Sequence, residues 1–269
     1  MKKSSLAVLL ALAVASMTVP AHAGNIALTG HDDDFHCSAA NAACAQLGAL
    51  VSFARNGSSL KVLTFDAGTE LTSNLSSLGV AFTNVNPNSG VTASMFDNSL
   101  YSAFIVASDG TCGGCDNNAA GEANIAAQSA AIGSFLNAGG GIVGLSGAKS
   151  ALYYSFVPQT ASSVGGAPTN GYSATGIYGI SAVNGDATHN LFWNPGTHGE
   201  SSFFQIAEVN SDGNETIPGP AAATLVCKGC TVSGGVIVGS ATPEPSSIIL
   251  LGSGLVGVVG AFRRRISAR

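Results

Sequence analysis

Short apolar runs alternate with helical patterns over residues 25–156, and this alternation limits the possible folds more than any other feature of the chain. The run at residues 103–107, Ala-Phe-Ile-Val-Ala, contains no polar residue, which is typical of a strand buried on both faces. Comparable strand-like runs lie at residues 24–29, 60–65 and 142–145. Because strands and helices alternate, the sequence predicts an α/β fold with a mostly parallel sheet and helices on both faces.

Three segments carry the helical pattern. The first covers residues 38–55, and Ser38 is placed to cap its start. The second covers residues 69–78 and stops at Gly79, as expected of a helix with glycine just past its end. The third, residues 119–137, is alanine-rich and amphipathic, and we expect a single long helix there.

The character of the chain changes after Pro158. Residues 159–171 are rich in Ala, Ser, Gly and Thr and are expected to form a loop. Strand patterns return at residues 202–209, 222–226 and 234–238. We expect this last third to add extra antiparallel strands at the edge of the same sheet.

The first 23 residues have the features of a secretory signal peptide. Lys2 and Lys3 precede an apolar run at residues 6–14, and Ala21-His22-Ala23 provides an A-x-A cleavage site. Such a peptide implies export through the Sec translocon. The folded body is therefore expected to begin at residue 24 and to continue to residue 241.

The tail, residues 242–269, has three parts in a fixed order. Pro243, Glu244 and Pro245 are followed by a predicted transmembrane segment at residues 248–262 and then by a basic cluster of Arg263, Arg264 and Arg265. The apolar segment is long enough for a short membrane span, and the arginines would hold its end on the cytoplasmic side. An ordinary C-terminal membrane anchor is the alternative interpretation.

This tail resembles the PEP-CTERM protein-sorting signal of Gram-negative bacteria. The resemblance implies a membrane-anchored intermediate, recognition by an exosortase, removal of the tail near the motif, and a final place at the cell surface or outside the cell. It also implies an association with exopolysaccharide and the biofilm matrix.

The body is acidic. Residues 24–241 contain four Lys and Arg residues against fourteen Asp and Glu residues, which gives a net charge of −10. Nucleic-acid binding requires a basic patch, so a nucleic-acid partner is not expected.

Six cysteines fall in the body as three close pairs. In an exported protein this spacing favours three short-range disulfides, although a four-cysteine zinc site or a redox-active pair at Cys112 and Cys115 are alternatives. The pairs are Cys37 with Cys44, Cys112 with Cys115, and Cys227 with Cys230.

The body resembles the class I glutamine-amidotransferase-like family, especially its trehalose-utilisation-type branch. The likeness rests on residues 26–36, on the apolar run that leads to Asp109, and on residues 139–148 and 185–190. The resemblance implies a flavodoxin-like sheet. True amidotransferases carry a nucleophilic cysteine at the strand–helix elbow, where this chain has Ser146, or Leu145 if the register shifts by one. Glutamine amidotransfer is therefore not expected.

A serine hydrolase remains an alternative. Ser146 lies in a sequence one residue away from the G-x-S-x-G elbow, and Asp186 with His189 or His198 follows in the order of a catalytic triad. The structural alternative is that Ser146 caps the next helix.

A polar loop follows the first strand. His31, Asp32, Asp34 and His36 are candidate ligands for a divalent cation, since carboxylates suit Ca²⁺ or Mg²⁺ and histidines suit a transition metal. Adjacent carboxylates repel one another, so a solvated loop is the alternative. In a parallel sheet this loop would lie at the carboxyl edge with Asp66, Asp109 and Ser146.

Together these features favour an exported surface or matrix protein that is non-catalytic and binds a ligand or polysaccharide at the carboxyl edge of its sheet. The alternatives are an extracellular hydrolase using Ser146 or a metal, and a thiol–disulfide oxidoreductase using Cys112.

Overall fold

The structure is a computed structural model that describes residues 23–38, 41–109, 117–145, 154–157, 160–161, 170–185, 192–193, 203–212 and 220–239. These residues form a mixed α/β domain with a large sheet and helices on both of its faces. Residues 1–22 of the predicted signal peptide and the predicted tail lie outside the described residues.

Eleven strands are present in the described part of the chain. They are β1 (Gly24–Thr29), β2 (Lys61–Phe65), β3 (Phe82–Val85), β4 (Tyr101–Val106), β5 (Gly141–Gly144), β6 (Thr160–Ala161), β7 (Tyr172–Ala174), β8 (Phe192–Trp193), β9 (Gln205–Asn210), β10 (Ala221–Ser233) and β11 (Val236–Gly239).

The same residues contain five α-helices. They are α1 (Asp33–His36), α2 (Ala42–Arg55), α3 (Glu70–Ser77), α4 (Ala119–Ala126) and α5 (Ser129–Asn137). Short 3₁₀ turns lie at Pro87–Ser89, Ala93–Met95 and Ile177–Gly179.

Five strands form the parallel half of the sheet, in the order β3-β2-β4-β5-β1. The remaining strands are antiparallel and are organised around β10, which pairs with β1, β8, β9 and β11. The expected C-terminal antiparallel strands are therefore present, and they extend the sheet beyond β1, the edge strand of the parallel half. The thirteen-residue β10 lies inside the sheet, between β1 and β9.

The strand order differs from the flavodoxin-like order 2-1-3-4-5, in which the first strand is internal to the parallel set. Here β3, β2, β4 and β5 take the places of strands 2, 1, 3 and 4 in that order. The first strand of the chain, β1, takes the fifth place, beside β5. A flavodoxin-like fold is thus not confirmed.

Each face of the sheet buries its own apolar core. Helices α4 and α5 cover one face, where they pack on inward side chains of the central strands such as Ile26, Phe104 and Ile142. Helices α2 and α3 cover the other face over Ala27, Ile105 and Val143. Because successive side chains of a strand point to opposite faces, fully apolar strands are needed to fill both cores.

Two helix predictions were wrong in detail. The helix expected from Ser38 begins at Ala42, and its N-cap is Asn41, whose Oδ1 accepts a hydrogen bond from Cys44 N at 3.0 Å. The single helix expected over residues 119–137 is divided at Ala127 and Gln128. The two halves have different partners, because α4 packs on the 3₁₀ turn Pro87–Ser89 and α5 packs on the sheet.

Two of the three predicted disulfides are present in the described residues. Cys37 is bonded to Cys44 across the junction of α1 and α2, and Cys227 is bonded to Cys230 within β10. A zinc site that uses both C-x2-C pairs is incompatible with the second bond. Cys112 and Cys115 lie outside the described residues, so their disulfide and the redox alternative stay predictions.

Within the part of the chain that the structure describes, no helix is long and apolar enough to cross a membrane. The predicted span at residues 248–262 is not among these residues.

Candidate functional site

The loop after β1 is buried, although its sequence is strongly polar. His31, Asp32, Asp33 and Asp34 are each at most 1% exposed. The solvated alternative for this loop is therefore wrong. Burial of this kind is stable only if the carboxylates receive hydrogen bonds or opposite charges, so the contacts of the loop determine what it can do.

His31 binds a glutamate that the sequence did not indicate. Its Nε2 lies 2.9 Å from Oε2 of Glu208 on β9, and both side chains are fully buried. The His31 ring also meets the ring of Tyr172 edge-on, with 4.8 Å between centroids. The pair connects the loop after β1 to the antiparallel half of the sheet.

Glu208 collects donors from four other parts of the chain. Oε2 accepts hydrogen bonds from Gln46 Nε2 at 3.0 Å and from Thr224 Oγ1 at 2.7 Å, in addition to the contact with His31. Oε1 accepts from the backbone N–H of Val183 at 2.7 Å. The carboxylate therefore joins the loop after β1, helix α2, strand β10 and the segment before residue 185.

These donors decide the charge of Glu208. Burial by itself raises the pKa of this carboxyl, but the charge of His31 and the hydrogen bonds from His31, Val183 and Thr224 outweigh it and lower the pKa below its ordinary value. Glu208 is therefore ionised near neutral pH. An ionised carboxylate only accepts hydrogen bonds, so His31 donates its Nε2–H.

Asp34 connects the same loop to the end of β4. Its Oδ2 accepts a hydrogen bond from the backbone N–H of Ser108 at 2.8 Å, and its backbone carbonyl accepts one from Asn74 Nδ2 on α3. Asp34 thus holds the carboxyl edge of the sheet together.

Asp66, at the end of β2, has a similar role. It accepts from Gly68 N at 2.7 Å and from Thr72 N at 3.2 Å, which positions the first turn of α3. Nearby, Asn117 Nδ2 donates to the carbonyl groups of Phe65 and Ala107, and Asp109 forms an isolated bridge with Asn117.

A cleft of about 210 Å³ opens beside the loop. It is lined by His36 and Ser38, by residues 41–43 at the start of α2, and by residues 183–185. His36 is about one-third exposed, and its Nε2 lies 3.6 Å from Oδ2 of the buried Asp32. An imidazole beside a buried carboxylate can form hydrogen bonds with a ligand, so the cleft is the candidate site at this edge.

The predicted cation ligands do not converge in the described geometry. His31 is directed to Glu208, Asp34 to Ser108, and Asp32 to His36. Among the described residues, no group of three or more His, Cys, Asp or Glu side chains is placed to hold a metal ion. Cation binding by His31, Asp32, Asp34 and His36 stays a prediction without support from these contacts.

The predicted catalytic residues Ser146, Asp186 and His189 lie outside the described residues, and so does His198. The triad therefore stays a prediction, as does the capping role of Ser146.

Sequence reasoning missed Glu208, Gln46 and Thr224. The pairing between β9 and β10 is irregular around Thr224, and adjacent residues Ala207 and Glu208 are both buried. Simple alternation would place only one of them inside, so the pattern gave no signal for a buried glutamate.

Comparison with known proteins identifies the tail. Residues 241–265 match the family model of the PEP-CTERM protein-sorting motif, which confirms the prediction for Pro243, Glu244 and Pro245 and for the cluster that ends at Arg265. The motif indicates an exported protein that passes through a membrane-anchored intermediate and is processed by an exosortase.

No curated protein and no solved structure matches the chain. The resemblance of residues 24–241 to the amidotransferase-like family is supported by neither comparison.

Proposed function

We propose that this protein is a non-catalytic component of the cell surface or of an extracellular polysaccharide matrix. It is made with a signal peptide at residues 1–23, enters the Sec translocon, and is held in the membrane by residues 248–262 until an exosortase removes the tail. The body at residues 24–241 then acts as a binding domain for exopolysaccharide.

The observation that carries this proposal is the sorting motif at residues 241–265. A motif that directs a chain to an exosortase determines where the body works, and the disulfide between Cys37 and Cys44 suits an oxidising location outside the cytoplasm.

The contacts at the carboxyl edge support a non-catalytic role. Both carboxylate oxygens of Glu208 and Asp66, and Oδ2 of Asp34, accept hydrogen bonds from backbone or side-chain donors of the protein itself. Side chains held in this way stabilise loops, whereas a catalytic base must be directed to a substrate.

Processing is tested in cells that contain an exosortase. We expect the full chain to lose its tail and to appear at the surface or in the medium, whereas a variant with alanine at Pro243, Glu244 and Pro245 keeps its full mass in the membrane fraction. Substitution of the neighbouring Ser246 and Ser247 by alanine is the control, and we expect normal processing. Equal processing of all three chains would exclude an exosortase.

The absence of turnover is tested on the same exported protein with chromogenic esters, amides and glycosides. We expect no activity above background, with or without added Ca²⁺, Mg²⁺ or Zn²⁺. Turnover that disappears in Ser146→Ala would replace the proposal by the hydrolase alternative.

A further inference from the structure

Tyr178 has a backbone conformation that large side chains seldom adopt. It lies in the 3₁₀ turn Ile177–Gly179 with φ 52° and ψ 23°, in the left-handed region. Gly176 and Gly179 on either side also have positive φ values. A bulky residue with these backbone angles costs free energy. Local folding alone therefore does not explain why a tyrosine occupies position 178.

The turn is anchored so that it presents the tyrosine. Ile180 is buried, and Ile177 packs against the core formed with α2. Thr175 Oγ1 donates to the carbonyl of Ile206 at 2.9 Å. Between these anchors the side chain of Tyr178 is 41% exposed, and it is the most exposed aromatic side chain among the described residues.

The ring of Tyr178 has a firm support. The nearly buried Phe53 of α2 stacks against it with 4.6 Å between centroids and an interplanar angle of 28°. The hydroxyl donates to Gln205 Oε1 at 3.2 Å. These contacts hold the aromatic plane in one orientation before any ligand arrives, which lowers the entropy cost of binding.

Two hydrogen-bond donors lie around this ring. Gln205 uses its Oε1 for the tyrosine hydroxyl, and its Nε2 group is a separate donor. Lys228 Nζ lies over the ring, 5.3 Å from its centroid, on an exposed side chain. We call Tyr178, Gln205 and Lys228 the tyrosine platform.

We propose that the tyrosine platform binds a pyranose unit of a neutral polysaccharide. A pyranose ring has an apolar C–H face that can replace Lys228 over the tyrosine ring, whose other face Phe53 covers. Its hydroxyls can accept hydrogen bonds from the Gln205 amide and from the displaced Lys228 ammonium. An exposed plane suits one unit of a long chain, because a small free ligand needs an enclosed cavity.

The charge of the body selects against acidic polymers. A net charge of −10 over residues 24–241 repels a polyanion, and Lys228 is one of only four basic residues there. This inference rests on the proposed matrix function and gives it a ligand class and a site, distinct from the cleft beside His36.

The first test uses the exported protein, purified from cells that express the full chain, in native gels cast with galactomannan, β-glucan or alginate. We expect retardation by at least one of the neutral polymers and none by alginate. Tyr178→Ala should weaken binding by about tenfold or more, because a central aromatic residue carries a large share of binding energy. Tyr178→Phe keeps the ring and should bind within about twofold of the native protein.

A second variant separates binding from folding. Asparagine tolerates the left-handed conformation, so Tyr178→Asn should keep or raise the melting temperature while binding is lost. Lys228→Ala should weaken binding about threefold or more, since one hydrogen bond is removed. Lys61→Ala, which removes a lysine 5.4 Å from the ring of Tyr101, is the matched control and should bind normally.

The outcomes distinguish the two proposals. If a neutral polymer retards the native protein and Tyr178→Asn equally, the platform is wrong and the matrix function stands. If alginate alone retards the protein, the neutral ligand class is wrong. If no polymer retards it, both the platform and polysaccharide binding are overturned, while the processing assay still decides export.

Discussion

At the scale of single residues, Glu208 is the most consequential side chain in the described structure. It is fully buried and charged, and it receives donors from His31, Gln46, Val183 and Thr224. These donors come from segments that are far apart in the chain. Loss of the carboxylate would leave buried donors unpaired in several elements at once, which costs more than the loss of one surface ion pair.

The free energy of unfolding should therefore decrease at acidic pH as Glu208 becomes protonated. Folding lowers the pKa of this carboxyl below its ordinary value of 4.5, so the stabilisation is complete above that pH and is lost as the pH falls through the lower, folded-state pKa. We expect Glu208→Gln to cost about 3 kcal/mol at pH 7 and to flatten the decline of stability below pH 4.5. Urea denaturation between pH 7 and pH 3 measures both effects.

Asp212→Asn is the control for this measurement. It removes the same charge from an exposed position just beyond β9, and we expect less than about 0.5 kcal/mol of change at any pH. If the stability of Glu208→Gln falls as steeply with decreasing pH as that of the native protein, the acid dependence does not come from Glu208.

Two glycines give a second prediction at this scale. A Cβ at Gly141 in β5 would overlap the carbonyl group of Ala54 in α2, whereas a Cβ at Gly48 would have Leu78 Cδ2 as its nearest neighbour at 3.8 Å. We expect Gly141→Ala to destabilise the protein by about 3 kcal/mol or more, because helix and strand must separate. Gly48→Ala should stabilise α2 by about 0.5–1 kcal/mol. Thermal denaturation of the two variants measures the contrast, and equal melting temperatures would contradict this packing.

At the scale of elements, the sequence predicted the buried parallel strands well because their signal is local. β1, β2, β4 and β5 are apolar runs, and each was placed within two residues of its observed bounds. Helix ends were less certain. Ser38 and Asn41 are both capping residue types within four positions, and only the fold shows that Asn41 receives the Cys44 N–H.

The Asn41 cap can be tested directly. Its side chain also donates to the carbonyl of His36 at 2.7 Å, so it fixes both the start of α2 and the wall of the cleft. We expect Asn41→Ala to cost about 1–2 kcal/mol in urea denaturation, and Asn41→Asp to recover part of this loss because the Oδ1 acceptor remains. Ser38→Ala should change stability by less than about 0.5 kcal/mol. A larger effect at Ser38 than at Asn41 would restore the cap that the sequence suggested.

The candidate site was harder to predict than the elements. The sequence located the polar loop after β1, but not the fact that Asp32, Asp33 and Asp34 are buried. It also could not indicate Glu208, because the partner of His31 comes from the opposite end of the chain and reaches the interior through an irregular strand pair. Contacts of this kind depend on tertiary structure and leave no local pattern.

At the scale of the whole molecule, folding of the domain depends on β10. It pairs with four strands and contributes Leu225, Val226, Cys227 and Cys230 to the two cores. Without β10, the buried edge of β1 and the buried Glu208 would both be exposed to water.

We therefore expect a chain that ends after Asp212 to lack native structure, since both cores lose a central strand. A chain that ends after Gly239 retains β10 and β11 and should fold. Limited proteolysis and near-ultraviolet circular dichroism of the two exported chains measure the difference. A protease-resistant core in the shorter chain would show that the parallel half is stable by itself.

The pairing of the first strand with β10 also affects the timing of export. In a chain that crosses the membrane amino end first, β1 crosses early. Its neighbours in the sheet are β5 and β10, so Leu28 cannot pair with Gly144 and Leu225 until those later residues have crossed as well. Until then an apolar strand has two unsatisfied edges in a crowded compartment, which favours aggregation, and its native contacts are long-range and slow to form. We expect the body to remain unfolded for most of its translocation and to depend on holding chaperones that prevent premature association.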